Sequence, residues 1–134
     1  MDAAGLVCAI KAAGRVYLIG NGGSYANAVH ICNDLLAAGV RAYTLDPASL
    51  TASANDHGYE TVFARWIETV GEEGDLLIAL SGSGRSQNIL AAMNAAKRKG
   101  MVVELVTDYL RTMDMQQSEE AQLVLGHQLM RGLK

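Results

Sequence analysis

The sequence predicts an α/β fold, a three-layer αβα sandwich built on a mainly parallel sheet. Three observations lead there. Short apolar runs alternate with longer segments of helical periodicity. One run, "DLLIAL" at 75–80, is apolar almost throughout, as a strand covered on both faces should be. Two turns rich in glycine and serine, "GNGGS" at 20–24 and "SGSGRS" at 81–86, each stand between a strand-like run and a helix-like one.

Taken in order, residues 3–13 are alanine-rich and predict a helix ended by Gly14. "RVYLI" at 15–19 predicts a short strand. A helix follows over 25–38, with Ala28, Ile31, Leu35 and Leu36 on one side and Gly39 as its stop. "VRAYTL" at 40–45 is the next strand, and "DPASLTASAND" at 46–56 has the composition of turn and loop. Residues 59–70 carry Val62, Phe63, Trp66, Ile67 and Val70 at helical spacing. The strand at 75–80 leads through the second turn to a helix over 87–99, closed by Gly100. "MVVELVT" at 101–107 is the fourth strand, and 118–131 predicts a last helix. Alternation of this kind implies right-handed crossovers, with ligands expected at the carboxyl ends of the strands, where both turns fall.

Composition sets further bounds. The 134 residues suit one domain with a proper core. Half are hydrophobic, yet no run has the length of a membrane span. The start lacks a basic region leading into a long apolar stretch, so the expectation is no signal peptide and a cytoplasmic protein. Cys8 and Cys32 lie among aliphatic residues and are expected to be buried thiols. Net charge is −3, and the one basic run, "KRK" at 97–99, falls near a helix C-terminus where the dipole favours it. Neither nucleic acid nor a membrane is expected as a partner.

The glycines let the backbone turn sharply and come close to a ligand, while the amides at the start of the next helix attract an anion. The second turn adds the hydroxyls of Ser81, Ser83 and Ser86. A neutral, donor-rich pocket of this kind suits a phosphomonoester on a small molecule. Gly20, Gly22 and Asp46 also echo a dinucleotide site, but Tyr25 occupies the place of the third glycine, where helix and strand should pack closely. No G-K-[ST] motif is present, so no nucleotide cofactor is expected. A purely structural use of glycine and serine in strand-to-helix turns is the plain alternative.

"GNGGS" at 20–24, "ANDHGYETVFARW" at 54–66, the long stretch at 71–101 and "VELVT" at 103–107 together resemble the sugar isomerase (SIS) domain family. Within it they are most similar to the branch that interconverts sedoheptulose 7-phosphate and D-glycero-D-manno-heptose 7-phosphate. The resemblance covers residues 15–108 well and 118–131 loosely. It implies an SIS-type sandwich, aldose–ketose isomerisation of a phosphorylated sugar, and a homotetramer with sites at subunit interfaces. It further implies that Asn21, Gly22, Gly23 and Ser24 lie on the substrate, that Asn55 and Asp56 meet sugar hydroxyls, and that Ser81, Gly82, Ser83 and Ser86 hold the phosphate. A metal-binding histidine and a basic carboxylate four residues later correspond to His30 and Asp34. A C-terminal glutamine and histidine correspond to Glu119 and His127. The implied zinc set is therefore His30, Asp34, Glu119 and His127, with Glu119 also at the substrate, Asp34 as base and His127 as its acid partner.

Two substitutions depart from the pattern: Asp34 replaces a glutamate and Glu119 replaces a glutamine. The resemblance also points to a single domain over 1–134, shortened at its N-terminus and between 108 and 118. On a helix, His30 and Asp34 face the same way, which suits a shared metal, an acid–base pair or a simple surface pair. Glu119 and His127 pose a problem, since eight residues of continuous helix rise about 12 Å. Glu120 or Gln122 is the alternative partner. His57 is expected to be a structural loop residue, and Arg85 either assists phosphate or faces solvent. Rival functions are a relative that only binds phosphosugars or regulates, and an isomerase of a six-carbon amino-sugar phosphate.

Overall fold

A computed structural model describes residues 3–107 and 114–134. Its helices are α1 (Ala3–Ala12), α2 (Gly23–Ala37), α3 (Pro47–His57), α4 (Val62–Val70), α5 (Gln87–Arg98) and α6 (Met115–Leu133). Its strands are β1 (Val16–Gly20), β2 (Ala42–Thr44), β3 (Leu76–Leu80) and β4 (Val102–Val106). Among the described residues the strands form one parallel sheet in the order β2-β1-β3-β4. Val16 pairs with Leu76 and Gly20 with Leu80, so β1 and β3 end level with each other. The chain leaves β1 toward β2 on one side and returns to β3 on the other. That reversal opens a crevice outside the carboxyl ends of β1 and β3.

The central strands are buried along their whole length, and their side chains alternate between two cores. Val16, Leu18, Leu76, Ile78 and Leu80 face α1, α2 and α6, meeting Leu6, Ile10, Ile31, Leu35 and Leu129. Tyr17, Ile19, Leu77 and Ala79 face α4 and α5, meeting Phe63, Ile67, Ile89 and Ala92. Each fully buried Leu, Ile or Phe contributes roughly 1.5–3 kcal/mol. The expected sandwich is thus present.

Four local expectations are corrected. Residues 46–56 hold a helix rather than a loop. Pro47 sits in its first turn and Asp46 caps it, with Oδ2 accepting the Ser49 amide N–H at 2.9 Å. Residues 59–61 form a separate 3₁₀ turn before α4, entered through Gly58 at φ 94°. α6 starts at Met115, set by a capping box between Asp114 and Gln117. Cys8 is exposed, because the apolar stripe of α1 runs through Leu6, Val7 and Ile10 and leaves it outside; Cys32 is buried. Burial pushes the Cys32 thiol up from its ordinary value. The basic run is used internally: Arg98 pairs with Glu68 at 3.1 Å, and Lys99 donates to the Glu68 carbonyl at 2.8 Å. The expected short connection between 108 and 118 falls partly on 108–113, outside the described residues. No described helix is long and apolar enough to cross a membrane.

Candidate functional site

β1 ends at Gly20 and the chain turns through Gly22 at φ 55°, a conformation that L side chains rarely adopt. α2 begins one residue later. Tyr25, in its first turn, donates its hydroxyl to the Leu45 carbonyl at 2.6 Å. That bond ties the helix to the end of the neighbouring strand, and burial together with Asp46 raises the phenol's pKa. Asp46 itself is occupied as the cap of α3, so neither residue is arranged as a dinucleotide site would need.

The second turn leaves β3 at Leu80. Ser81 is buried, and its Oγ accepts the Gly84 amide N–H at 3.1 Å. Ser83 Oγ accepts the Arg85 amide N–H at 3.1 Å, and both of these residues are exposed. Ser86 is the N-cap of α5 but makes no side-chain cap bond, which leaves its hydroxyl and the first amides of the helix available. A turn that offers amides and hydroxyls with no acid among them is suited to an anion.

α6 lies along α2 in parallel register and joins the two turns. A Cβ on Gly82 would meet Ser118 Oγ at 2.9 Å, and one on Gly23 would coincide with the Glu119 carboxylate. One turn further on, Asn27 Nδ2 donates to the Glu119 carbonyl at 2.7 Å and to Gln122 Oε1 at 3.0 Å. Gln122 Nε2 donates to Ser24 Oγ at 3.0 Å. Gly126 then allows close approach, since a Cβ there would lie 2.6 Å from Ile31 Cγ1. This register brings His127 beside His30, with ring centroids 5.6 Å apart. His30 Nε2 lies 3.4 Å from Asp34 Oδ2. His30, Asp34 and His127 each offer a ligand atom, all within 4.8 Å of one another.

The structure therefore assembles three of the four residues expected at a metal. Glu119 is not among them: an uninterrupted helix separates it from His127 by eight residues, about 12 Å at roughly 1.5 Å each, and its carboxylate sits at Gly23 instead. Ser24 is also displaced from its expected role at the ligand, because it is only 4% exposed and faces Gln122. Asn55 and Asp56 occupy the exposed last turn of α3, where Asn55 Nδ2 donates to Asp56 Oδ1 at 3.2 Å. His57 ends that helix rather than lying in a loop. Asp56 and His57 line a shallow groove with Arg65 and Trp66. The sequence patterns gave no role to Asn88 or Tyr59, yet both contact Asn21. Asn88 stands two residues after Ser86 with buried Ile89 beside it, a local context that looks merely helical.

Two strand-to-helix turns meeting at the switch point of a parallel sheet define a doubly wound ligand-binding domain. Residues 2–107 match the SIS domain, and the chain belongs to that family. It is 43% identical to the phosphoheptose isomerase of Sodalis glossinidius over 114 residues, covering 79% of this chain and 59% of that one. It is 38% identical to the phosphoheptose isomerase of Burkholderia pseudomallei over 143 aligned positions, covering 90% of this chain and 73% of that one. A solved phosphoheptose isomerase from Francisella tularensis superposes with a TM-score of 0.88 at 27% identity, over 98% of this chain and 83% of that one. The chain spans little more than half the length of several curated relatives it matches.

Proposed function

We propose that this domain isomerises a phosphorylated ketose to its aldose, with sedoheptulose 7-phosphate and D-glycero-D-manno-heptose 7-phosphate as the pair. The observation that carries the proposal is the gathering of His30, Asp34 and His127 within 4.8 Å by two helices whose first turns stand at the two glycine-rich turns. A phosphate at one end and a proton-transfer set further along the same helices suit an extended sugar phosphate. The relatives' names support the same substrate class.

In this reading Ser81, Gly82, Ser83 and Ser86 hold the phosphate. Asn21, Gly22 and Gly23 border the sugar, with Glu119 beside them, and Asn55 and Asp56 meet its hydroxyls. Asp34 takes the proton from the carbon next to the carbonyl, and the electron pair left behind forms the enediol double bond. His127 gives a proton to the carbonyl oxygen as that bond forms. Asp34 then returns its proton to the former carbonyl carbon, while His127 takes back a proton from the neighbouring hydroxyl, whose oxygen becomes the new carbonyl. Both groups are restored and no redox cofactor is consumed. His30, Asp34 and His127 fit zinc, because two imidazoles and a carboxylate leave one tetrahedral position open. A carboxylate has two oxygens and an imidazole two nitrogens, so Asp34 and His127 would each hold the ion by one atom and move a proton at the other. A zinc ion held there would polarise the carbonyl and hydroxyl oxygens of the substrate. We further assign residues 1–134 to one domain, acting in the cytoplasm as a homotetramer with sites at subunit interfaces.

The test is incubation with a panel of phosphorylated ketoses, with and without a chelator. Sedoheptulose 7-phosphate should be converted, more slowly after chelation. Asp34→Asn should lower turnover by about 10²–10⁴-fold, the usual worth of a positioned base. Unchanged turnover would remove Asp34 from the mechanism, and conversion of no ketose would overturn the proposal.

A further inference from the structure

The first turn of α5 holds a residue that the phosphate motif passes over. Asn88 is 4% exposed. A buried carboxamide has two N–H donors and a two-lone-pair oxygen to satisfy, and an unmade bond is costly. Asn88 meets half of this need with one partner on the other turn. Its Nδ2 donates to Asn21 Oδ1 at 2.8 Å, and Asn21 Nδ2 donates back to Asn88 Oδ1 at 2.9 Å. The Tyr59 hydroxyl donates to the same Asn21 oxygen at 2.7 Å.

What remains on Asn21 then follows by subtraction. Both lone pairs of its oxygen are engaged, and one of its two N–H groups goes to Asn88. A single N–H is left. We infer that Asn88 is a positioning residue that, with Tyr59, locks the Asn21 carboxamide so that it can meet a ligand only as a donor. The site at this point selects a ligand atom that accepts a hydrogen bond, such as a hydroxyl or carbonyl oxygen, over an ammonium group. The same pair of bonds holds the β1 turn against the helix that follows the phosphate turn. The inference rests on the proposed phosphosugar function, and it adds a reason for a ketose phosphate to be preferred over a protonated amino-sugar phosphate.

Titration calorimetry with sedoheptulose 7-phosphate and with inorganic phosphate separates the possibilities. Asn88→Ala should weaken the sugar phosphate about tenfold, the usual effect of releasing a buried hydrogen-bond partner, and leave inorganic phosphate within about twofold. The double variant with Asn21→Ala should bind no more weakly than Asn21→Ala alone, because Asn88 acts through Asn21. Tyr59→Phe, at an exposed side chain, frees one Asn21 lone pair without disturbing the core. It should narrow the preference for sedoheptulose 7-phosphate over glucosamine 6-phosphate, and it carries the test if Asn88→Ala fails to fold. Wild-type affinity in Asn88→Ala, additive losses in the double variant, equal weakening of both ligands or an unchanged preference in Tyr59→Phe overturns this inference alone. A wild-type protein that binds neither phosphate nor sugar phosphate overturns the proposed function, and this inference with it.

Discussion

The turn after β1 and the turn after β3 have similar composition, similar position and opposite surroundings. Both run from a central strand into a helix, and both are touched by the first turns of α6. What α6 offers them differs by one residue. At Gly82 it presents the neutral hydroxyl of Ser118; at Gly23 it presents the carboxylate of Glu119. A helix N-terminus with a carboxylate already beside it has its favourable negative charge in place, and a second anion meets repulsion there. The turn after β3 has no such neighbour, and Ser86 makes no cap bond with its own helix. Glycine and serine content therefore marks where an anion cradle can form, while the element packed opposite decides which cradle is free.

Exchanging serine for alanine in each turn should separate the two roles, and it carries the largest expected effects. Ser24 accepts from Gln122, which is 3% exposed. Ser24→Ala strands that buried donor and should cost about 1–3 kcal/mol of stability, read by denaturant unfolding, with phosphate affinity unchanged. Ser86→Ala should do the reverse, weakening phosphate about five- to tenfold and leaving stability near wild type. If Ser24→Ala weakened phosphate more than Ser86→Ala did, the contrast between the turns would be wrong.

Much of this architecture was legible in the sequence because the signals were local. The buried strands announced themselves as apolar runs, and the i, i+4 spacing of His30 and Asp34 needed only a helix. Helix α3 escaped because none of its residues is fully buried and only Leu50 and Ala54 pack against the core, too thin an apolar stripe to detect. Its signature was in Asp46 and Pro47, a cap and a first-turn proline that also suit a loop. The position of Glu119 depended on the register between α2 and α6. That register is set by Asn27, Gln122 and the absence of a side chain at Gly126, none of which stands out in a linear pattern. The Asn21–Asn88 pair spans 67 positions, and no local rule joins them.

Removing the carboxylate from the first turn sharpens the comparison with a smaller effect. Glu119→Gln keeps the size and polarity of the side chain and deletes one negative charge near the proposed phosphate. Sugar phosphate should bind about two- to fivefold more tightly at low salt, and the gain should shrink as salt screens it. Stability should fall by about 0.5 kcal/mol, since the start of α2 loses a favourable charge. Tighter binding that persists unchanged at high salt would mean that Glu119 acts by contact rather than by charge.

The start of α3 supplies the control, a helix N-terminus whose anion is its own cap. The Ser49 amide N–H, donated to the Asp46 carboxylate, holds that carboxyl below its ordinary value of 3.8. A carboxylate with a lower pKa folded than unfolded adds stability that is complete above the unfolded value and is lost as pH falls through the folded one. Because α3 has no fully buried residue and only Leu50 and Ala54 of it pack, partly buried, against the core, its first turn can open locally, and hydrogen exchange at Ser49 reports the cap. After correction for intrinsic exchange, protection at Ser49 should stay level from neutral pH down to about 5, then decline as Asp46 protonates. Asp46→Asn should flatten that decline. The first amides of α5, which no acid caps, should show no matching step without phosphate and should gain protection when it is added. A decline of equal size at both helix starts would show that acid loosens the whole domain, and the distinction between a filled and a free helix start would no longer explain the two turns.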